Sequence, residues 1–221
     1  MPKLAIIHTT PVTVDSLKTL AAEVIGDVQV INFVDDSILP ELSANGGQVE
    51  DVAERWLHYA RFAEQAGADV ILSACSSVGE LAARAAKSSK APVLRIDEAM
   101  AEEAVSRGTR VGVAATLPTT LAPTTALIKA KGEEAGKPVV LVPVVAETAY
   151  RKLMEGDKEG HDEELAAVLA KLAADTDVVV LAQASMARVL SKLPEKDRSR
   201  FLSSPRSGME RVKQVLEKTV R

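Results

Sequence analysis

The chain carries one pattern twice. Asp69-Val-Ile-Leu-Ser-Ala-Cys-Ser-Ser-Val-Gly-Glu80 reads as a buried strand, a thiol, two small hydroxyl residues and the start of a helix. Asp177-Val-Val-Val-Leu-Ala-Gln-Ala-Ser-Met-Ala-Arg188 repeats it 108 residues later (183 − 75 = 108), with Gln183 in the place of Cys75. The same offset sets Leu81 against Val189 and Leu94 against Leu202. An offset of 107 sets Leu4-Ala-Ile-Ile-His-Thr-Thr-Pro11 against Val111-Gly-Val-Ala-Ala-Thr-Leu-Pro118, so that Thr9 meets Thr116 and Pro11 meets Pro118. Two blocks in one order at nearly one offset argue against chance. The period is far longer than the ~20–50 residues of solenoid units, so we read two similar α/β halves of roughly four strands each. The expected division is 1–97 plus 205–221 for the first half and 98–204 for the second.

Within each half, short apolar runs alternate with helical periodicity. The expected strands are Leu4–His8, Val28–Phe33, Val70–Ala74, Pro92–Ile96, Arg110–Ala114, Pro138–Val142, Val178–Ala182 and Arg200–Ser203. They are apolar on both parities, as strands covered on both faces are. The expected helices are Thr13–Ile25, Val49–Ala66, Val78–Ser89, Glu98–Arg107, Thr119–Ala135, Thr148–Glu155, Asp162–Ala174, Met186–Leu193 and Ser207–Val220. Gly26, Gly67 and Gly136-Lys-Pro138 supply helix stops. Alternation of strand and helix predicts parallel sheets flanked by helices: an α/β fold of two pseudo-symmetric domains. The last helix pairs by offset with Ala99–Arg107, and each of the two is expected to cross over onto the opposite half. Asn45-Gly-Gly47 reads as a loop near the strand ends, and His161, in a charged stretch, as surface decoration.

Bulk properties narrow the function. At 221 residues the chain has ample surface to bury. Aromatic residues make up only 3% of it, so the core is expected to be aliphatic. A net charge of −4 offers no basic surface for nucleic acid. No apolar run approaches the ~20 residues that span a membrane, and the N-terminus passes directly into a strand without a signal-peptide pattern. A lone cysteine forms no internal disulfide. The cytoplasm is the expected location. No Cys, His and carboxylate set has metal-ligand spacing, and neither a Walker loop nor a GxGxxG fingerprint is present.

The chemistry is expected at the strand ends, where parallel sheets bind ligands. Cys75 sits there, followed by Ser76 and Ser77 at a helix start that offers donors to a carboxylate and lowers a thiol's pKa. The alternative is that Cys75 is a small buried hydrophobe. Gln183 cannot take a proton at neutral pH but can donate and accept hydrogen bonds, and is read either as a packing residue or as an orienting group. Two threonine-rich loops, carrying Thr9 and Thr116, Thr119 and Thr120, add hydroxyl donors, although threonine is also an ordinary helix cap. His8 ends a strand beside that of Cys75 and is read either as a satisfied structural histidine or as a second acid. Asp35-Asp36-Ser37 follows the second strand. The two carboxylates alternate in direction and form no obvious pair.

The Ser-Ala-Cys-Ser-Ser-Val-Gly, Ala-Thr-Leu-Pro-Thr-Thr, Leu-Ala-Gln-Ala-Ser-Met and Ser-Ser-Pro-Arg-Ser-Gly-Met-Glu blocks resemble the aspartate/glutamate/hydantoin racemase superfamily over nearly the whole chain. The resemblance implies two α/β domains with the active site between them. It implies chemistry that uses no cofactor, on a small carboxylate or dicarboxylate, and a homodimer is common in the family. In family racemases one cysteine from each half serves the two faces of the substrate carbon. Cys75 matches the first of these cysteines. Ser76, Ser77, Thr116, Thr119, Thr120 and Ser185 match positions that hold the carboxylate or nearby groups. Gln183 replaces the second cysteine, so the expected reaction is a one-thiol isomerisation or racemisation. A single-cysteine decarboxylation like that of the superfamily's arylmalonate decarboxylases, which keep the second-half cysteine instead, and a non-catalytic carboxylate-binding protein are the alternatives.

Overall fold

The computed structural model describes residues 1–219 and, for Ala184, the backbone alone. Val220, the expected end of the last helix, lies outside the described residues. In chain order the elements are β1 (Lys3–His8), α1 (Val14–Val24), β2 (Gln29–Val34), α2 (Ile38–Ala44), α3 (Glu50–Gln65), β3 (Val70–Ser73), α4 (Gly79–Ala86), β4 (Val93–Arg95), α5 (Glu98–Arg107), β5 (Arg110–Ala115), α6 (Pro118–Glu134), β6 (Val140–Val145), α7 (Glu147–Met154), α8 (Lys158–Ala174), β7 (Val178–Leu181), α9 (Glu195–Arg198), β8 (Phe201–Ser203) and α10 (Ser204–Thr219). Short 3-10 turns at Pro11–Thr13, Ser76–Val78 and Ala184–Lys192 complete the list.

The chain divides into two compact units. One comprises Met1–Glu98 and the chain from Pro205 onward; the other comprises Ala99–Ser204. Each contains a four-stranded parallel sheet, ordered β2-β1-β3-β4 in the first and β6-β5-β7-β8 in the second.

The repeat in the sequence is a repeat of register. Leu4 pairs with Val70 on the central strands of the first sheet, and Val111 pairs with Val178 on those of the second. The repeated aspartate pins both pairs. The Lys3 N–H donates to Asp69 Oδ2 at 2.8 Å while the Asp69 N–H donates to the Lys3 carbonyl at 2.8 Å. Arg110 and Asp177 repeat both bonds, each at 2.8 Å. A one-residue slip would turn every side chain to the opposite face, so this pair of hydrogen bonds at the strand start also protects the core.

Both central strands are buried on each side. In the first unit Ala5, Ile7 and Ile71 pack toward α2, α3 and α4 with Trp56 and Leu81, while Leu4, Ile6, Val70 and Leu72 pack toward α1 and α10 with Leu17, Met209 and Val212. In the second, Ala114, Val179 and Leu181 face α8 through Leu165 and Leu169. Val111, Val113, Val178 and Val180 face α5 and α6 through Met100, Ala104 and Ile128. Thus α10, which follows β8 in the chain, packs in the first unit, and α5, which follows β4, packs in the second. Each fully buried leucine or isoleucine contributes about 1.5–3 kcal/mol.

Four expectations are corrected. The run after Ser37 forms α2; Pro40 lies in its first turn, where no intrahelical N–H is required. The segment expected as a helix over Met186–Leu193 is a 3-10 run. His161 is not on the surface: it is 4% exposed, and its Nδ1 lies 2.8 Å from the Ala149 carbonyl across the α7–α8 turn. The strand expected at Pro138–Val142 runs over Val140–Val145, and it tolerates Pro143 because it is an edge strand.

Candidate active site

In each sheet the chain leaves the first strand toward one neighbour and returns to the other side. That reversal defines the ligand position of open parallel sheets, beyond the carboxyl ends of the two central strands. In the first unit those ends are His8-Thr9 and Ala74-Cys75; in the second they are Ala115-Thr116 and Ala182-Gln183. Pairing continues one residue beyond each strand, through Ala74 N–H to the Ile7 carbonyl and Ala182 N–H to the Ala114 carbonyl, both at 2.9 Å. Cys75 (φ −134°, ψ 121°) and Gln183 (φ −119°, ψ 136°) then share one extended conformation, and each enters a 3-10 turn.

Cys75 is half-buried against the α3/α4 side of its core. Burial pushes its thiol above the ordinary value. Hydrogen bonds from the Thr9 hydroxyl, from the Ser77 N–H and hydroxyl and from the Val78 N–H oppose that push without cancelling it. The expectation that the helix start would lower the thiol's pKa is therefore corrected: desolvation outweighs the donors, and the resting group is a neutral thiol. Thr9, Ser76 and Ser77 are all buried, at 3%, 6% and 4% exposure.

Gln183 occupies the equivalent place with equivalent wiring. Its Oε1 accepts the Thr116 N–H at 2.7 Å, and its Nε2 donates to Thr116 Oγ1 at 2.8 Å. Threonine at the end of the first strand therefore bonds the residue at the end of the third in both units: Thr9 with Cys75, and Thr116 with Gln183. Thr119 lies in the first turn of α6, with Oγ1 enclosed and without a hydrogen-bond partner. Thr120 is buried and Ser185 exposed.

His8 is fully buried. Nδ1 lies 2.8 Å from Thr13 Oγ1 and Nε2 lies 3.0 Å from Asn32 Oδ1, so both ring nitrogens are engaged inside the unit. Burial holds its pKa below the ordinary value, against the bond to Asn32 that favours the charged form. At neutral pH the ring is uncharged.

Two clusters were not foreseen, although Asp35 itself was noted as a carboxylate without a pair. Asp35 accepts from Tyr59 Oη at 3.0 Å and from the Ser37 N–H and hydroxyl, with Arg55 Nε at 3.2 Å. Burial raises its carboxyl, but those donors and the Arg55 charge together hold it below the usual range. Asp36 beside it is exposed. At the end of β4, Arg95 forks onto Asp97. Two opposite charges two residues apart at a strand end share one side, and that spacing was the available signal. Among the described residues no group of three or more His, Cys, Asp or Glu side chains could hold a metal ion, and no helix is long and apolar enough to cross a membrane.

Paired four-stranded parallel units with matched strand ends define a particular class of α/β protein. A family model described as Asp/Glu/Hydantoin racemase matches residues 6–210, and the chain belongs to that family. Among solved structures it resembles a glutamate racemase isoform from Bacillus anthracis, with a TM-score of 0.77 at 15% identity over 98% of this chain and 82% of that one. It also resembles the aspartate racemase of Picrophilus torridus (0.73, 14%, covering 100% and 95%) and the allantoin racemase of Klebsiella pneumoniae (0.65, 16%, covering 99% and 89%). At these identities the likeness is one of fold. No curated protein sequence matches this chain.

Proposed function

We propose that the chain is an isomerase of the racemase type that uses no cofactor and acts on a small carboxylate or dicarboxylate, with Cys75 as its one proton-exchanging or nucleophilic thiol. The observation that carries this is the matched wiring of the two strand ends. Thr9–Cys75 and Thr116–Gln183 are the same arrangement, and only the first ends in a group that can gain or lose a proton near neutral pH. Relatives that racemise glutamate and aspartate support a small carboxylate as the ligand.

In the proposed step the neutral thiol first releases its proton to water, and the thiolate so formed takes the hydrogen next to the carboxylate. The C–H electron pair moves into an enediolate, and the sulfur becomes a thiol. Ser76 and Ser77, beside the thiol, supply donors to the carboxylate oxygens as their charge grows. The same thiol then returns a proton to carbon, after exchange with solvent, on the original face or, once the planar enediolate has turned over, on the opposite one. Gln183, tied to Thr116 through both ends of its carboxamide, has no proton to exchange at neutral pH. His8 stays neutral and holds β1 to β2 rather than serving as an acid.

A decarboxylase is the second reading, favoured by the neutral resting thiol. There a C–C bond breaks, carbon dioxide leaves, the electron pair remains as an enediolate and the thiol proton goes to carbon. The resulting thiolate is reprotonated by water. Incubation of a panel of small mono- and dicarboxylates in D2O tests both. Deuterium uptake or carbon dioxide release that disappears in Cys75→Ala is expected. Full activity in that variant, or ligand-induced stabilisation with no turnover of any acid, would contradict the enzyme reading.

A further inference from the structure

We propose that Arg95, gripped by Asp97 and seated on Gly79, is a positioning residue for the turn that carries Cys75, an inference resting on the reading of Cys75 as the working thiol. Arg95 is paired in register with Ser73, two residues before the thiol, on the neighbouring strand. Its guanidinium lies against the first residue of α4. A Cβ built on Gly79 would fall 2.2 Å from the Arg95 guanidinium carbon, 2.3 Å from Nη2 and 2.5 Å from Nε. These distances put the cation flat on the Gly79 backbone, in space that any other residue would fill.

Asp97 fixes the cation from the strand end, with Nε to Oδ1 at 3.0 Å and Nη2 to Oδ2 at 2.9 Å. The Asp97 side chain is 1% exposed and that of Arg95 is 14% exposed, so neither charge is a solvated surface group. The orientation is the informative part. The start of a helix attracts anions and repels cations. An ion pair serving stability alone would set its carboxylate against α4. Here the positive end is set against it, immediately after the Ser77 and Val78 N–H groups that reach the sulfur. The guanidinium holds the backbone that aims those donors, and that placement favours the thiolate. The other charged or titratable groups on the flanking elements are Lys3 and His8 on β1, the histidine neutral and buried, Glu80 and Arg84 on α4, both exposed, and Glu98, Glu102, Glu103 and Arg107 on α5.

Because Cys75 is the sole cysteine, the rate of its alkylation by iodoacetamide as a function of pH reads the thiol without any substrate. The proteins compared are the full chain, Gly79→Ala, Arg95→Lys, and the double variant Arg95→Met with Asp97→Asn, which removes both charges together. Alanine is a better helix former than glycine, so Gly79→Ala displaces the cation without weakening α4. The midpoint of the profile is expected to rise by about one pH unit in Gly79→Ala and in the double variant, slowing alkylation about tenfold below it. Arg95→Lys is expected to behave like them, because an ammonium can neither lie flat nor fork. Folded variants with the wild-type profile would overturn the proposal. The two readings fail separately: an absence of carboxylate turnover leaves a shifted profile standing, whereas turnover with an unshifted profile removes the role of Arg95 alone.

Discussion

Replacing Gln183 by leucine tests whether its carboxamide is a fixed part of the second unit. The substitution keeps much of the volume and removes both bonds to Thr116, at 2.7 and 2.8 Å. The two losses are unequal. Thr116 is 6% exposed, so its backbone N–H is left buried without an acceptor, whereas its hydroxyl can rotate toward another group. A buried donor left unsatisfied costs about 1–3 kcal/mol. Taking about 2 kcal/mol, a chain of this length should lose about 4–8 °C in melting temperature. Gln183→Glu keeps an acceptor for the N–H, and the hydroxyl can turn to donate. It should cost less than about 1 kcal/mol. Thermal unfolding followed by circular dichroism, with hydrogen exchange of the Thr116 amide, reads both variants. Gln183→Leu melting within about 1 °C of wild type, or Gln183→Glu as damaging as Gln183→Leu, would refute the reasoning.

Two further outcomes follow from the first unit. Thr9→Val removes a donor that favours the thiolate, so the pKa of Cys75, already raised by burial, should rise by about one unit more, and alkylation near pH 8 should slow about tenfold; an unchanged rate would mean that the Thr9 bond does not reach the sulfur. His8 has a folded pKa below its ordinary 6.5, so the unfolded chain binds a proton that the folded chain refuses, and stability should fall as pH drops below about 6.5. Urea unfolding at pH 7, 6 and 5 should show a smaller loss in His8→Gln than in wild type, and equal losses would contradict a neutral buried ring.

The fold was legible because its signals are local and doubled. Apolar runs such as Val70-Ile-Leu and Val178-Val-Val-Leu can be central parallel strands and little else, and the repeat carries their register from one unit to the other through Asp69 and Asp177. The 3-10 run after Gln183 was not legible, since a short stretch of helical periodicity does not distinguish an i+3 from an i+4 ladder. Helix α2 hid behind Pro40, which breaks a helix interior but not a first turn. At the site, sequence could place Cys75 and Gln183 at matching strand ends. It could not weigh desolvation against donors, so the direction of the thiol's shift was misjudged. His161 was misjudged in the same way, because its charged sequence neighbours say nothing of the Ala149 carbonyl that satisfies it across a turn. The Arg95–Asp97 fork depends on the space left by Gly79, a residue sixteen positions earlier in the chain.

The central claim is that only one strand end of the matched pair can move a proton, and the stereochemistry of exchange tests it most directly. A single enantiomer of the substrate acid, identified from the carboxylate panel, is incubated in D2O and followed by proton NMR together with chiral chromatography. The account predicts that deuterium enters the carbon beside the carboxylate much faster than the opposite enantiomer appears, and that both signals vanish in Cys75→Ala. Racemisation that keeps pace with deuterium entry would place a second proton-transferring group opposite Cys75 and contradict it.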